Sequence, residues 1–291
     1  MILPGLHWNQ AELPPAREMN HGLVSIFPFD EDLGPFPLGS GFITAAFGDR
    51  AVCCTAAHIF THLHRLQKVG PTPHPSALRE FLPQGAPLDL DRKRLRAVCW
   101  EDGKIEIAFF DWAIWDERSD LAFFGIRIQE GTDPRFFRSN MLLDAERPEI
   151  GTEVAVLGYN DMKVLSFEGT EDQNRGTISR QLLLRAGRVT AYYPDGYSLC
   201  RAACIETSIP IFPGMSGAPV MKVAQGGAML PFGVMSFDPD EEPGQKCDRS
   251  VPGRSIVPLI KPLIQVSPNG QRSTMLTLES GMMAGTGWVA A

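Results

Sequence analysis

The chain has 291 residues, of which 44% are hydrophobic and 21% charged, a composition typical of a folded globular protein rather than a disordered or fibrous one. Its 28 glycines and 24 prolines exceed what a helical bundle tolerates and favour many short strands joined by turns. Acidic side chains (34) outnumber basic ones (27), and the net charge of -7 disfavours binding to the phosphate backbone of nucleic acids.

The amino-terminal segment and the cysteine content bear on the cellular compartment. Residues 1–20 are rich in proline and lack the basic and apolar regions of a secretory signal, so we interpret them as an N-terminal arm. No run approaches the roughly 18 apolar residues that cross a bilayer. Six cysteines are too few for a disulfide scaffold in a chain of this length. We therefore expect a cytoplasmic protein with free thiols and no membrane contact.

Residues 21–130 predict the first of two β-rich halves. The runs SGFITAAF and AVCCTAA around Gly48-Asp49 predict a β-hairpin, and the following HIFTHLHRLQ predicts one or two helical turns. Residues from about 65 to 100 contain several prolines and the basic run DRKRLR, and we interpret them as a surface insertion whose charges face solvent. Strands resume with RAVCW and continue in KIEIAFFDWAIW and LAFFGIRI.

Residues 131–265 predict a second β-rich half, followed by a weakly patterned C-terminal tail over residues 266–291. Short apolar runs bounded by turns recur from GTEVAVLGY to MLPFGVMSF. Near the end, SIVPLIKPLIQV predicts a short helix broken by Pro262. Two such halves, without long helices alternating with the strands, predict an all-β protein built from two barrels or sandwiches.

Three short segments carry side chains suited to acyl transfer. TAAH ends at His58, SDLA contains Asp120, and PGMSGAPV surrounds Ser216. A serine nucleophile needs an imidazole to take its proton, a carboxylate to hold that imidazole in the right tautomer, and backbone donors for the oxyanion. The small residues Gly214 and Gly217 allow a sharp turn that aims the amides of Gly214 and Ser216 into one pocket.

The motif order TAAH, SDLA and GxSGxP resembles that of the trypsin-like serine peptidases with a chymotrypsin-type fold. The flanking segments GSGFI and GTEVAVLGY are most similar to the bacterial branch that includes HtrA-like and glutamyl-endopeptidase-like enzymes, and the likeness covers about residues 22–265. It implies two antiparallel six-stranded β-barrels with short helices and an active site in the cleft between them. It further implies that His58 acts as general base and acid, that Asp120 orients it, and that Ser216 forms an acyl-enzyme. That chemistry requires no metal and no organic cofactor.

The resemblance also implies where a peptide or protein substrate binds. The uncharged Pro210 lies near the expected pocket base, which favours a medium apolar or small substrate side chain over lysine or arginine. We interpret Asp238 as an exposed turn residue rather than a partner for a basic side chain. The strand after the nucleophile is expected to pair with the substrate backbone. The expected substrate-binding residues are Pro210, Val234, Met235, Ser236 and Phe237.

Several alternatives involve the same residues. An α/β-hydrolase needs its histidine after the serine, whereas all six histidines lie before position 75, so that fold is excluded. His58 and His62 are four residues apart, as in some zinc sites, but no carboxylate or cysteine follows at ligand spacing. Asp111 in FFDWA competes with Asp120 as the orienting carboxylate, and Asp116 lies between them. Cys53 and Cys54 precede the histidine, where we interpret them as core residues rather than nucleophiles.

Two departures from the familiar pattern qualify the resemblance. Ile59 replaces the cysteine that the digestive enzymes carry after their histidine, so the disulfide at that place is absent. Met215 replaces the aspartate that pairs with a freshly cut amino terminus, so no activation by insertion of that terminus is expected. The alternative from another class is a catalytically silent or latent peptidase-fold module that binds peptides or partner proteins. In a regulated form, a protein partner would uncover a cleft closed by the insertion or by the tail.

Overall fold

A computed structural model of the chain provides the fold. The described residues are almost entirely β, with one helical turn at residues 57–61. The prediction of an all-β architecture is therefore confirmed. The structure describes residues 22–28, 38–61, 95–101, 104–129, 133, 136–137, 140–144, 146–169, 174–223, 229–240, 253–260, 262–266, 272–277 and 283–289.

Six antiparallel strands close the first barrel. Around the barrel they run in the order β1-β2-β3-β6-β5-β4, and β4 pairs with β1 to complete the ring. The predicted hairpin around Gly48-Asp49 is formed by β2 and β3. The six strands are β1 (Leu23–Pro28), β2 (Gly39–Ala46), β3 (Arg50–Ala56), β4 (Leu95–Glu101), β5 (Lys104–Asp116) and β6 (Leu121–Ile128).

The second half is a curled six-stranded antiparallel sheet. Its strand order is β11-β10-β7-β8-β9-β12, and an isolated bridge between Gly233 and Leu259 brings its two outer edges together. With the closed barrel, this sheet matches the chymotrypsin-like two-barrel fold. Its strands are β7 (Glu153–Gly169), β8 (Asn174–Tyr193), β9 (Cys204–Thr207), β10 (Pro219–Val223), β11 (Met229–Val234) and β12 (Ser255–Pro258).

The cores of the two halves explain why these strands form and why the halves stay together. In the first barrel, the ring of Phe60 packs edge-on against Phe110 and Phe124, and the latter two stack at 4.8 Å between centroids. The same cluster of buried side chains extends into the second half through Tyr159 and Val234. Burial of this continuous apolar surface holds the cleft between the halves in place.

Two expectations for segments outside the predicted strands need correction. The expected insertion at 65–100 includes residues 95–100, which belong to the barrel strand β4, and residues 65–94 of it lie outside the described residues. The expected helix in SIVPLIKPLIQV is wrong, because Ser255–Pro258 pairs with β9 and a second strand begins at Pro262. Proline lacks a backbone donor, and the first position of a strand tolerates it.

The tail is also more ordered than its weak pattern indicates. A separate three-stranded antiparallel sheet has β13 at Pro262–Val266, β14 at Arg272–Thr277 and β15 at Met283–Val289. The sheet therefore begins within the segment that we had included in the second barrel. The N-terminal arm, residues 1–20, lies outside the described residues.

Candidate active site

His58 lies at the first-barrel side of the cleft, where β3 gives way to the helical turn. The backbone N–H of Ala57 donates to the carbonyl of Asp120 at 3.1 Å, which joins this segment to the start of β6. The Thr61 hydroxyl donates to the His58 carbonyl at 3.1 Å and supports the turn. The imidazole keeps 40% of its side-chain surface exposed, so the ring is accessible from solvent.

Asp120 ends the tight turn between β5 and β6. Its φ of 52° is in the left-handed region, which aspartate tolerates better than most residues. The turn is shaped by Asp116, whose carboxylate accepts hydrogen bonds from the N–H of Arg118 at 3.0 Å and the hydroxyl of Ser119 at 2.9 Å. Asp116 therefore has a structural role, and its two oxygens are directed into the turn.

The Asp120 carboxylate receives hydrogen bonds from two residues. Its Oδ2 lies 2.9 Å from His58 Nδ1, and its Oδ1 accepts the backbone N–H of His58 at 2.8 Å. The hydroxyl of Ser236 donates to Oδ2 from the opposite side. A carboxylate held in this way fixes the ring orientation and keeps the proton on Nδ1, so Nε2 is free to accept a proton.

The pKa shifts of His58 and Asp120 are set by their mutual charge and hydrogen bonds, which oppose the effect of burial. Burial by itself lowers the pKa of His58, but the charge of Asp120 and its hydrogen bond to the ring outweigh that effect and raise the pKa above its ordinary value. Burial by itself raises the pKa of Asp120. The charge of His58 and the hydrogen bonds from His58 and Ser236 outweigh it, and the pKa lies below the ordinary range.

The competing carboxylate, Asp111, lies elsewhere. On β5, its oxygens pair with Arg127 at 3.0 Å and Arg50 at 3.7 Å. The structure thus brings Asp120, and not Asp111, to His58.

The loop that carries Ser216 needs glycine at two positions. Gly214 has a φ of 94° and Gly217 a φ of 87°, both in the region that favours glycine. A Cβ on Gly217 would lie 1.9 Å from the Ser40 carbonyl oxygen and 2.1 Å from Thr55 Oγ1. The first barrel therefore packs directly against the loop that carries Ser216, and only glycine fits at this contact.

The backbone of this loop leaves two amides for a ligand. The N–H of Met215 donates to Phe212 at 2.9 Å and that of Gly217 to Met235 at 2.8 Å. Within the described part of the chain, the N–H groups of Gly214 and Ser216 donate no hydrogen bond. These are the two amides expected to bind an oxyanion.

Ser236 links Ser216 to Asp120, the carboxylate that binds His58. The hydroxyl of Ser216 donates to the carbonyl of Ser236 at 3.3 Å, and no hydrogen bond joins it to His58 among the described residues. The hydroxyl of Ser236 binds Asp120 at the same time. Sequence reasoning assigned Ser236 only to substrate pairing and missed this link, for which the sequence carries no local signal.

The expected substrate-binding residues are in different environments. Val234 pairs with Pro219 of β10. The N–H of Met235 donates to the carbonyl of Ala218, and the carbonyl of Met235 accepts the N–H of Gly217. Both side chains are buried, and both backbones already pair within the protein. Phe237 is partly exposed and forms a bridge with β12.

Pro210 and Asp238 both lie close to Gly253. A Cβ on Gly253 would lie 2.8 Å from Pro210 Cβ and 3.6 Å from Asp238 Oδ2. The carboxylate also accepts the N–H of Asp240 at 2.9 Å. Asp238 is partly buried rather than exposed as expected, and this burial raises its pKa.

The described residues offer no site for the two remaining alternatives, a cysteine nucleophile and a metal ion. Cys53 and Cys54 are fully buried in β3, where burial raises the pKa of both thiols. No three His, Cys, Asp or Glu side chains of the described residues gather as ligands for a metal ion, and His62 lies outside them. A helix long and apolar enough to span a membrane is not found in the part of the chain that the structure describes.

Comparison with known proteins assigns the family. Residues 39–229 match the trypsin-like peptidase domain, so the chain belongs to this family of serine peptidases, whose substrates are peptides or proteins. No curated protein matches the chain. Among solved structures, the active form of the Rv3671c protease from M. tuberculosis is similar, with 14% identity, a TM-score of 0.44, and coverage of 83% of this chain and 77% of that one.

A second similar structure is the thermostable serine protease AL20 from an extremophilic microorganism. It has 15% identity and a TM-score of 0.45, and the match covers 84% of this chain and 92% of that one.

Proposed function

We propose that this protein is a serine endopeptidase that works through His58, Asp120 and Ser216. The observation that carries the proposal is the link through Ser236, whose hydroxyl binds Asp120 while its carbonyl accepts the hydroxyl of Ser216. Through this residue Ser216 is linked to the buried carboxylate that orients the His58 imidazole. Together with the unpaired amides of Gly214 and Ser216, this arrangement supports acyl transfer.

The proposed reaction begins when Ser216 exchanges its hydrogen bond to Ser236 for one to His58. Its Oγ attacks the substrate carbonyl carbon while Nε2 of His58 takes the hydroxyl proton. The amides of Gly214 and Ser216 stabilise the negative oxygen of the tetrahedral intermediate. The C–N bond then breaks, and His58 gives its proton to the leaving amine. Water hydrolyses the acyl-enzyme by the reverse proton transfers and restores the Ser216 hydroxyl.

A fluorophosphonate probe and fluorescein-labelled casein test this function. Wild-type protein should be labelled and should release internal casein fragments, whereas Ser216→Ala and His58→Ala should do neither. Ser166→Ala replaces an exposed serine of β7 and serves as the matched control, with labelling equal to the wild type. A Ser216→Ala protein that is still labelled would refute the assignment of the nucleophile.

The alternative function is a silent or latent module that binds peptides or a partner protein. It is favoured by one observation, the direction of the Ser216 hydroxyl, which points to the Ser236 carbonyl and not to His58. A folded wild-type protein that resists the probe, and whose labelling appears only after a binding protein is added, would support the latent form and a regulatory partner.

Two further parts of the proposal concern compartment and substrate. The five described cysteines are all free thiols, which supports a reducing, cytoplasmic environment. For the substrate residue before the scissile bond, the buried and uncharged Pro210 supports a medium apolar or small side chain. Cleavage of a peptide library only after arginine or glutamate would overturn that preference.

A further inference from the structure

We propose that Ser40 is a positioning residue that holds the oxyanion-binding segment, residues 214–216, in its working shape. The role rests on the proposed function, because it assigns a purpose to the amides of Gly214 and Ser216. Ser40 belongs to the first barrel, whereas the segment belongs to the second half. Through this contact one half of the molecule holds the reactive loop of the other.

Ser40 uses all of its polar groups at this boundary. Its N–H donates to the carbonyl of Ser216 at 2.7 Å, and its hydroxyl donates to the carbonyl of Gly214 at 2.6 Å. Its own carbonyl accepts the Thr55 hydroxyl at 2.6 Å, three residues before His58. Ser40 is fully buried, whereas Gly214 and Ser216 are partly exposed, so the donor side of the contact is closed to solvent. One residue thus binds both ends of the segment and ties it to the strand that ends at the histidine.

The segment needs an external constraint because of its glycine. Gly214 has a φ of 94°, and glycine adopts positive and negative φ about equally, so its own chemistry does not select this conformation. Rotation about this residue would turn its N–H away from the oxyanion position. The Ser40 hydroxyl fixes the carbonyl on one side of Gly214, and the bond from Met215 to Phe212 fixes the same peptide plane.

Packing on the opposite side complements this contact. A Cβ on Gly214 would lie 3.1 Å from the Tyr159 carbonyl oxygen and 3.3 Å from Met162 Cε, so the glycine lies against β7. That contact restricts the space available to the loop but supplies no directional bond. Among the contacts of the Gly214 carbonyl, the hydroxyl of Ser40 is the directional one.

Ser40→Ala isolates the side-chain contact. It retains the backbone bond from residue 40 to Ser216 and removes only the donor to Gly214. A net hydrogen bond of ordinary strength corresponds to a population change of roughly threefold to tenfold. The expected effect is a fall of that size in kcat for p-nitrophenyl acetate with an unchanged KM, because the amides act on the oxyanion and not on the neutral ester.

The experiment compares Ser40→Ala with Thr44→Val. Thr44 lies on the same strand and donates its hydroxyl to the Val52 carbonyl at 3.1 Å, away from the site, so it loses the same kind of bond. The midpoint temperature of thermal unfolding should fall by a similar amount in both variants. Only Ser40→Ala should lower kcat, and the rate constant for fluorophosphonate labelling should fall by the same factor, since the phosphonyl oxygen needs the same amides.

Three results would overturn the role. Equal kcat in Ser40→Ala and Thr44→Val, or a raised KM with unchanged kcat, would refute the positioning of the amides while leaving the proposed function intact. An unreactive wild-type protein would refute the proposed function and this role with it. If Ser40→Ala does not fold, Ser40→Cys carries the same test, because a thiol has similar size and is a weak donor.

Discussion

Replacement of Asp120 by asparagine tests the centre of the proposed mechanism. The carboxylate accepts three donor groups, namely the backbone N–H and Nδ1–H of His58 and the hydroxyl of Ser236. An asparagine side chain has the same shape but offers one oxygen and one NH2 group. That NH2 faces a group that was donating, and the ring avoids the conflict when its proton moves from Nδ1 to Nε2. His58 then cannot accept the proton of Ser216.

Two effects are expected, a loss of rate and a shift of the pH dependence. Loss of the correct tautomer lowers the plateau rate by a factor on the order of 10^4, or about 5 kcal/mol of transition-state stabilisation. The pH dependence also shifts. The carboxylate outweighs burial and raises the pKa of His58 above about 6.5, so the wild-type rate should increase with a midpoint above that pH. Without the charge, burial prevails and the pKa falls, so the acidic limb of Asp120→Asn should move to lower pH.

The assay is the pH–rate profile for p-nitrophenyl acetate between pH 4 and pH 9, chosen as roughly bracketing the histidine titration. Asp111→Asn is the matched control, because that carboxylate pairs with Arg50 and Arg127 and should leave the profile unchanged. A plateau for Asp120→Asn within tenfold of the wild type, or an acidic limb at the same or higher pH, would refute the assigned role.

Three further predictions concern the same region. Ser236→Ala removes one donor to Asp120, so kcat should fall roughly threefold to tenfold with little change in KM, and a change in KM alone would contradict this. Gly217→Ala places a Cβ 1.9 Å and 2.1 Å from two oxygen atoms at a φ of 87°, and should lose at least about 3 kcal/mol of unfolding free energy in urea. Gly151→Ala has a φ of 90° with nothing within 4 Å and should lose only about 1 kcal/mol, so equal losses would show that crowding is unimportant. Cys54 is buried and burial raises its pKa, so iodoacetamide should modify it only after unfolding, and alkylation of Cys54 in the folded protein would contradict its place in the core.

Local sequence patterns were enough to predict much of the fold and of the candidate site. Turn residues between short apolar runs predicted the strands of both halves, because alternation and turn chemistry are properties of neighbouring residues. Each of the three segments around His58, Asp120 and Ser216 is likewise a short run whose residue types indicate its chemistry. Their order in the chain was enough to select a family and to exclude an α/β-hydrolase.

The remaining features of the fold and the site depend on contacts between residues that are far apart in the chain. The strand at Ser255–Pro258 carries a sequence that also suits a helix, and its pairing with β9 resolves the ambiguity. Asp120, rather than Asp111, contacts His58 because folding brings the turn after β5 to the end of β3. Ser40 is 174 residues from the glycine whose carbonyl it binds, and Ser236 is 116 residues from Asp120. No local pattern marks such serines, because a hydroxyl acquires its role from the groups that the folded chain brings to it.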